Sequence, residues 1–155
     1  MTEKYKEAAG NLAKAIDVAI DVFKKYQIKD MSQKDINIII DVYSEYKEYT
    51  LNPLPKFSNL KSLSYNIEGV FTFFQEGSGE TVDKFWEKIK ELGLPYKREN
   101  KLAKILKRKK IKNDIEYDFV IDVLVPYQQE KMITEEEVIL LNELIGAFEN
   151  KNRKK

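Results

Sequence analysis

Apolar residues recur along most of this chain at intervals of three and four, the spacing of one helical face. Between Thr2 and Tyr26, Tyr5, Ala9, Leu12, Ile16, Ala19 and Phe23 form one stripe, and Ala8, Ala15, Val18 and Val22 form a second beside it. Glu3, Glu7, Asn11, Lys14, Asp17, Asp21 and Lys25 fill the rest of the wheel. A helix apolar over more than half its girth is packed on two sides, so this one is expected near the centre of the domain.

Ser32 with Asp35 three residues later resembles a capping box and opens a second helix to about Tyr49, with Ile36, Ile39, Ile40, Tyr43 and Tyr46 inward. Asn52-Pro53-Leu54-Pro55 ends it, because proline lacks a donor and disfavours helix in the residue before it. Over 58–76, Leu60, Leu63, Ile67, Val70 and Phe74 fit a helix. Leu63, Tyr65 and Ile67 also alternate as a strand would, and Gly69 interrupts the run. A strand there has no evident partner elsewhere, so a helix is expected.

Gly77-Ser78-Gly79 is the clearest break. A fourth helix, about Thr81 to Leu92, places Val82, Phe85, Trp86, Ile89 and Leu92 on one face, with Gly93 as its C′ residue and Pro95 as a stop. A fifth, about Arg98 to Lys109, has a narrow stripe of Leu102, Ile105 and Leu106. A sixth runs from about Asn113 to Val125 or beyond, with Ile115, Phe119, Val120, Val123 and Leu124 inward, and Pro126 ends or kinks it. Thr134 and Glu137 form another capping box, opening a last helix through Val138, Leu141, Leu144, Ile145 and Phe148. Six to seven helices with short loops predict an all-α fold, an irregular bundle in a single domain over 1–150, with 151–155 as a short basic disordered tail. There is no internal repeat and no heptad register long enough for a coiled coil.

Composition narrows the chemistry more than any motif does. Cysteine and histidine are both absent, which excludes disulfides, thiolate nucleophiles, imidazole bases and zinc sites built on those ligands. No cofactor is expected, and catalysis would have to rest on Asp, Glu, Lys, Tyr or Arg. No run of 18 apolar residues is present, so no membrane span is expected. The polar N-terminus has no signal-peptide core, and the expected location is cytoplasmic. Lysine outnumbers arginine 24 to 3, and isoleucine and asparagine are plentiful, a bias of AT-rich genomes that suggests a bacterial source.

Net charge is only +1, yet it is unevenly placed. Residues 97–112 carry +8, and residues 113–150 carry −9. In the basic run, Lys97, Lys101, Lys104 and Arg108 form a candidate patch, the last three sharing a helical face and suited to phosphate contacts. In the acidic run, Asp114, Asp118 and Asp122 recur every four residues on one face. Like charges at that spacing repel slightly, which suits a cationic partner or, less specifically, a carboxylate-bound Mg²⁺ or Ca²⁺. Equally, the two runs could simply answer each other as surface pairs of about 0–1 kcal/mol each. Lysine dominance and near-zero net charge weigh against sequence-specific DNA reading.

Two further features lie outside the charged runs. Phe73, displaced by about 100° from Phe74 on the helix wheel, and Tyr65 nearby are candidate aromatic anchors for a partner. The Gly77-Ser78-Gly79 break resembles an anion nest, but it fits neither a Walker motif nor a dinucleotide fingerprint, and Glu76 and Glu80 would repel phosphate. By elimination, the expected function is a non-enzymatic protein-binding or regulatory protein acting through the acidic face, with no membrane partner. A bacterial immunity-type or antitoxin-type inhibitor would suit its size and charge. The alternatives are nucleic-acid binding through 97–112 and a structural domain with a carboxylate-metal site.

Overall fold

The two-sided first helix becomes the axis of its surroundings. In the computed structural model, which describes residues 1–153, α1 (Glu3–Lys25) contacts α2 (Gln33–Leu51), α3 (Leu60–Glu76) and α4 (Glu80–Glu91). A 3₁₀ turn, Pro55–Phe57, links α2 to α3. After these come α5 (Ala103–Arg108), α6 (Asp114–Gln129) and α7 (Glu135–Arg153). The fold is all-α, with no strand among the described residues, and 58–76 is helical apart from its first two residues. The contacts divide into two compact units that meet in sequence at Arg98 and Glu99, each with its own hydrophobic core.

In the first unit, Leu12, Ala15, Ile16 and Ala19 of α1 are fully buried, and Val70, Phe74, Val82 and Phe85 close over them from α3 and α4. Three aromatic side chains carry their polar ends into this core and spend them on helix carbonyls. The Tyr5 hydroxyl donates to Thr50 O at 3.0 Å, Tyr43 to Val70 O at 2.7 Å, and Trp86 Nε1 to Phe74 O at 2.8 Å. Thr50 and Phe74 lie in the last turns of α2 and α3, where carbonyls have no partner further along the helix, so two of the three bonds act as C-terminal caps from another element. Tyr5→Phe keeps the ring and strands the Thr50 carbonyl. It is expected to cost about 1–3 kcal/mol, read as a lowered urea midpoint.

Gly69 has a packing reason. A Cβ built there would stand 2.5 Å from the Tyr46 hydroxyl oxygen, so the missing side chain lets α2 lie close on α3.

Local signals close most helix ends as the chain implies. Ser32 and Asp35 exchange both capping-box bonds, as do Thr134 and Glu137. Gly93 takes a left-handed φ of 67° after α4, with Gly93 N donating to Lys90 O and Leu94 N to Ile89 O, a Schellman closure. The end of α6 closes the same way through Lys131 at φ 59°, a residue type that does not announce this conformation. Pro126 lies inside α6, and the helix continues to Gln129.

Three expectations need correction. The fifth helix spans Ala103–Arg108 rather than 98–109. Residues 97–100 carry no apolar side chain to bury, and Asn100 organises the turn instead: its Oδ1 accepts from Leu102 N at 2.9 Å and its Nδ2 donates to Met132 O at 3.2 Å. The last helix continues through 151–153, where a disordered tail was expected; Lys154 and Lys155 lie outside the described residues. Ile115, expected inward, is 81% exposed, because Val120, Val123 and Tyr127 set the buried side of α6. Among the described residues, no helix is long and apolar enough to cross a membrane.

Candidate functional site

In the second unit, α6 packs against α7 and buries Val120, Val123 and Tyr127. Its start is capped by Asn113, whose side chain accepts from Glu116 N at 2.9 Å. The Tyr127 hydroxyl is fully internal to the unit, donating to Glu99 O at 3.2 Å and accepting from Lys101 N at 3.4 Å. These contacts hold the helix in one rotation about its axis, and that rotation decides what faces outward.

Asp114, Asp118 and Asp122 are all exposed, and so are Ile115, Ile121 and Val125. At about 3.6 residues per turn, the six side chains fall within roughly a third of the helix circumference. The aspartates run along the helix and do not converge: no group of three carboxylates among the described residues is placed to hold a metal ion. Asp114 also lies in the first turn, where a negative charge favours the helix dipole. The three aliphatic side chains have no such local reason to be outside.

Beside Asp114 and Asp118 is a depression of about 440 Å³, completed by Tyr117, Phe148, Glu149 and Asn152. The Tyr117 and Phe148 rings stack with centroids 5.0 Å apart, and the Tyr117 hydroxyl donates to Glu149 Oε1 at 2.8 Å. That hydrogen bond raises the Tyr117 pKa, assisted by burial and by the charges of Glu149 and Asp118. Glu149 thus adds a carboxylate from α7 beside Asp114 and Asp118.

The acidic and basic runs meet in one strong contact. Arg108 makes two parallel 2.9 Å hydrogen bonds to Glu116, and Lys112 N adds a third at 3.0 Å. Bidentate pairing of this kind is geometrically specific. Lys101 pairs at 3.0 Å with Glu99 and precedes α5, so Lys101, Lys104 and Arg108 do not share one helical face. Lys97 and Lys104 are exposed. In the first unit, the Arg98 side chain is only 3% exposed and pairs with Asp83 at 2.9 Å.

The two aromatic candidates separate. Phe73 is half-buried against Phe23 and Phe74, with centroids 5.6 and 5.0 Å away. Tyr65 is 64% exposed and lines a groove at the α2–α3 connection. That groove, and the exposed aliphatics of α6, were not singled out from the sequence. Their residues lie on apolar-periodic helices or beside prolines, where an inward orientation is the default reading.

The chain matches no family model, no curated protein and no solved structure.

Proposed function

We propose that this is a non-enzymatic binding protein that contacts another protein through the outer face of α6. The observation that carries the reading is the composition of that face: three exposed aspartates interleaved with three exposed aliphatic side chains on one third of a helix. Carboxylates alone would suit a solvated surface. Exposed Ile115, Ile121 and Val125 among them supply apolar area that a partner can bury, while the charges select its sign. The matching partner surface is basic and amphipathic. An inhibitor of immunity or antitoxin type fits this mode of action, since it works by occupying a basic surface and needs no chemistry of its own.

The Arg108–Glu116 pair supports the acidic face over the basic run as the contacting surface. It engages Arg108 within the protein and leaves the phosphate-contacting role to dispersed lysines. The test is capture from lysate of the source organism by wild type and by Asp118→Lys with Asp122→Lys. The expected result is a protein retained by wild type at low salt, weakened by salt, and lost with the double substitution. Its association rate should fall by about tenfold or more, in the range electrostatic steering covers. Equal capture by both forms would refute the face. Nucleic acid in both eluates would transfer the function to 97–112.

A further inference from the structure

The connection between α2 and α3 gathers large apolar side chains that the first unit's core does not use. Tyr49, Leu54, Phe57 and Tyr65 are 60%, 62%, 48% and 64% exposed, and together with Pro53 they line an open groove of about 660 Å³. Ligand sites typically span about 300–1,000 Å³. Phe57, at the end of the 3₁₀ turn Pro55–Phe57, and Tyr65, in the second turn of α3, both line it.

The polar groups in the lining have a bias. The hydroxyls of Tyr49, Ser62 and Tyr65 and the side-chain amide of Asn66 can each donate a hydrogen bond, and no side-chain bond to another described residue occupies them. Glu48 is the one charged residue in the lining, held by Asn52 Nδ2 at 3.2 Å. Lys56 stands beside the groove with its ammonium 4.9 Å from the Phe57 ring centroid.

A groove of rings and free donors with a single carboxylate asks for a ligand with apolar rings, many acceptors, few donors and one positive charge. Proline meets the first three requirements in one residue, since it carries a carbonyl and an apolar ring but no N–H. In the extended polyproline conformation its carbonyls are unpaired, and the chain is stiff enough to bind with little loss of entropy. We propose that this groove binds an extended proline-rich peptide segment bearing a basic residue, with prolines seated between Tyr49, Phe57 and Tyr65 and the basic side chain directed to Glu48. This site is separate from the α6 face and does not depend on it.

The experiment titrates the isotope-labelled full chain with a short synthetic peptide that alternates proline with leucine and begins with arginine, followed by NMR. Saturable shifts confined to Glu48, Tyr49, Phe57, Tyr65 and their neighbours are expected. Tyr65→Ala should weaken binding about tenfold or more, as loss of an aromatic anchor does. Tyr65 is largely exposed, so this variant keeps its fold, checked by the fluorescence of the buried Trp86. Glu48→Gln should abolish the preference for arginine over norleucine at the first position and leave the rest of the affinity in place. Three results would overturn the proposal: no saturation at millimolar peptide, equal shifts from a peptide with alanine in place of proline, or broadening of the same residues with protein concentration alone. The last would assign the groove to a second copy of the chain.

Discussion

Phe74→Ala is expected to destabilise the first unit by about 3–5 kcal/mol, the range for removing a buried aromatic side chain and leaving the space unfilled. Phe74 has no exposed surface and lies where all four helices of the unit converge. Its ring stacks on Phe85 of α4 with centroids 3.7 Å apart and 15° between planes. It also meets Phe23 of α1 at 5.4 Å and Tyr43 of α2 at 6.3 Å. No single neighbour can collapse into the cavity without giving up another ring contact. Domains of this kind are stable by about 5–15 kcal/mol in total, so the urea midpoint should fall by roughly a fifth or more. Trp86 is the lone tryptophan, and its indole N–H bonds to the Phe74 carbonyl, so its fluorescence reports directly on this unit. Phe74→Leu should cost distinctly less. A loss below about 1 kcal/mol for Phe74→Ala would mean that the ring cluster repacks freely, contrary to the close-packed interior described above.

Alkaline pH should unfold the first unit through its tyrosines. Burial raises the pKa of Tyr43 far above its ordinary value, with the charge of Tyr46 adding to it, and burial pushes Tyr96 up to about 12. Tyr5 is raised by the same cause. In the unfolded chain a phenol titrates near pH 10. A group whose folded pKa is raised binds its proton more tightly when folded, so it contributes stability that is complete below about pH 10. That contribution is lost as pH rises toward 12 and, for Tyr43, beyond it. The geometry agrees in sign, because the Tyr43 and Tyr5 hydroxyls are donors to carbonyls and a phenolate cannot donate. Urea midpoints should be level from about pH 7 to 9 and fall steeply above about pH 10. Tyr43→Phe should lower the midpoint at neutral pH and flatten the alkaline fall. A midpoint indifferent to pH up to about 12 would show that these hydroxyls reach water in the folded state.

Much of the local architecture was legible because it depends on contacts within a few residues. The two stripes of α1 required neighbours on two sides wherever the chain went, and α2, α3 and α4 supply them. Ser32 with Asp35, Thr134 with Glu137, and Gly93 close their helix ends by bonds spanning only three to five residues. The helix over 58–76 followed from the lack of any strand to pair with.

What the sequence could not decide depended on rotation and distance. A heptad of mixed residues does not say which third of α6 faces water. Tyr127 sets that through bonds to residues 26 and 28 positions away, and so turns Ile115 outward against its own hydrophobicity. Lys131 closes α6 in a left-handed conformation that glycine usually marks, because the Schellman bonds to Gln128 and Tyr127 offset the strain. The pairing of Arg108 with Glu116 and of Arg98 with Asp83, and the opening of a groove beside Tyr65, depend equally on how elements approach one another. The chain by itself determined where helices form and end, since propensity, periodicity and caps act locally. Tertiary packing determined which surfaces those helices leave uncovered, and both proposed binding surfaces belong to that second class.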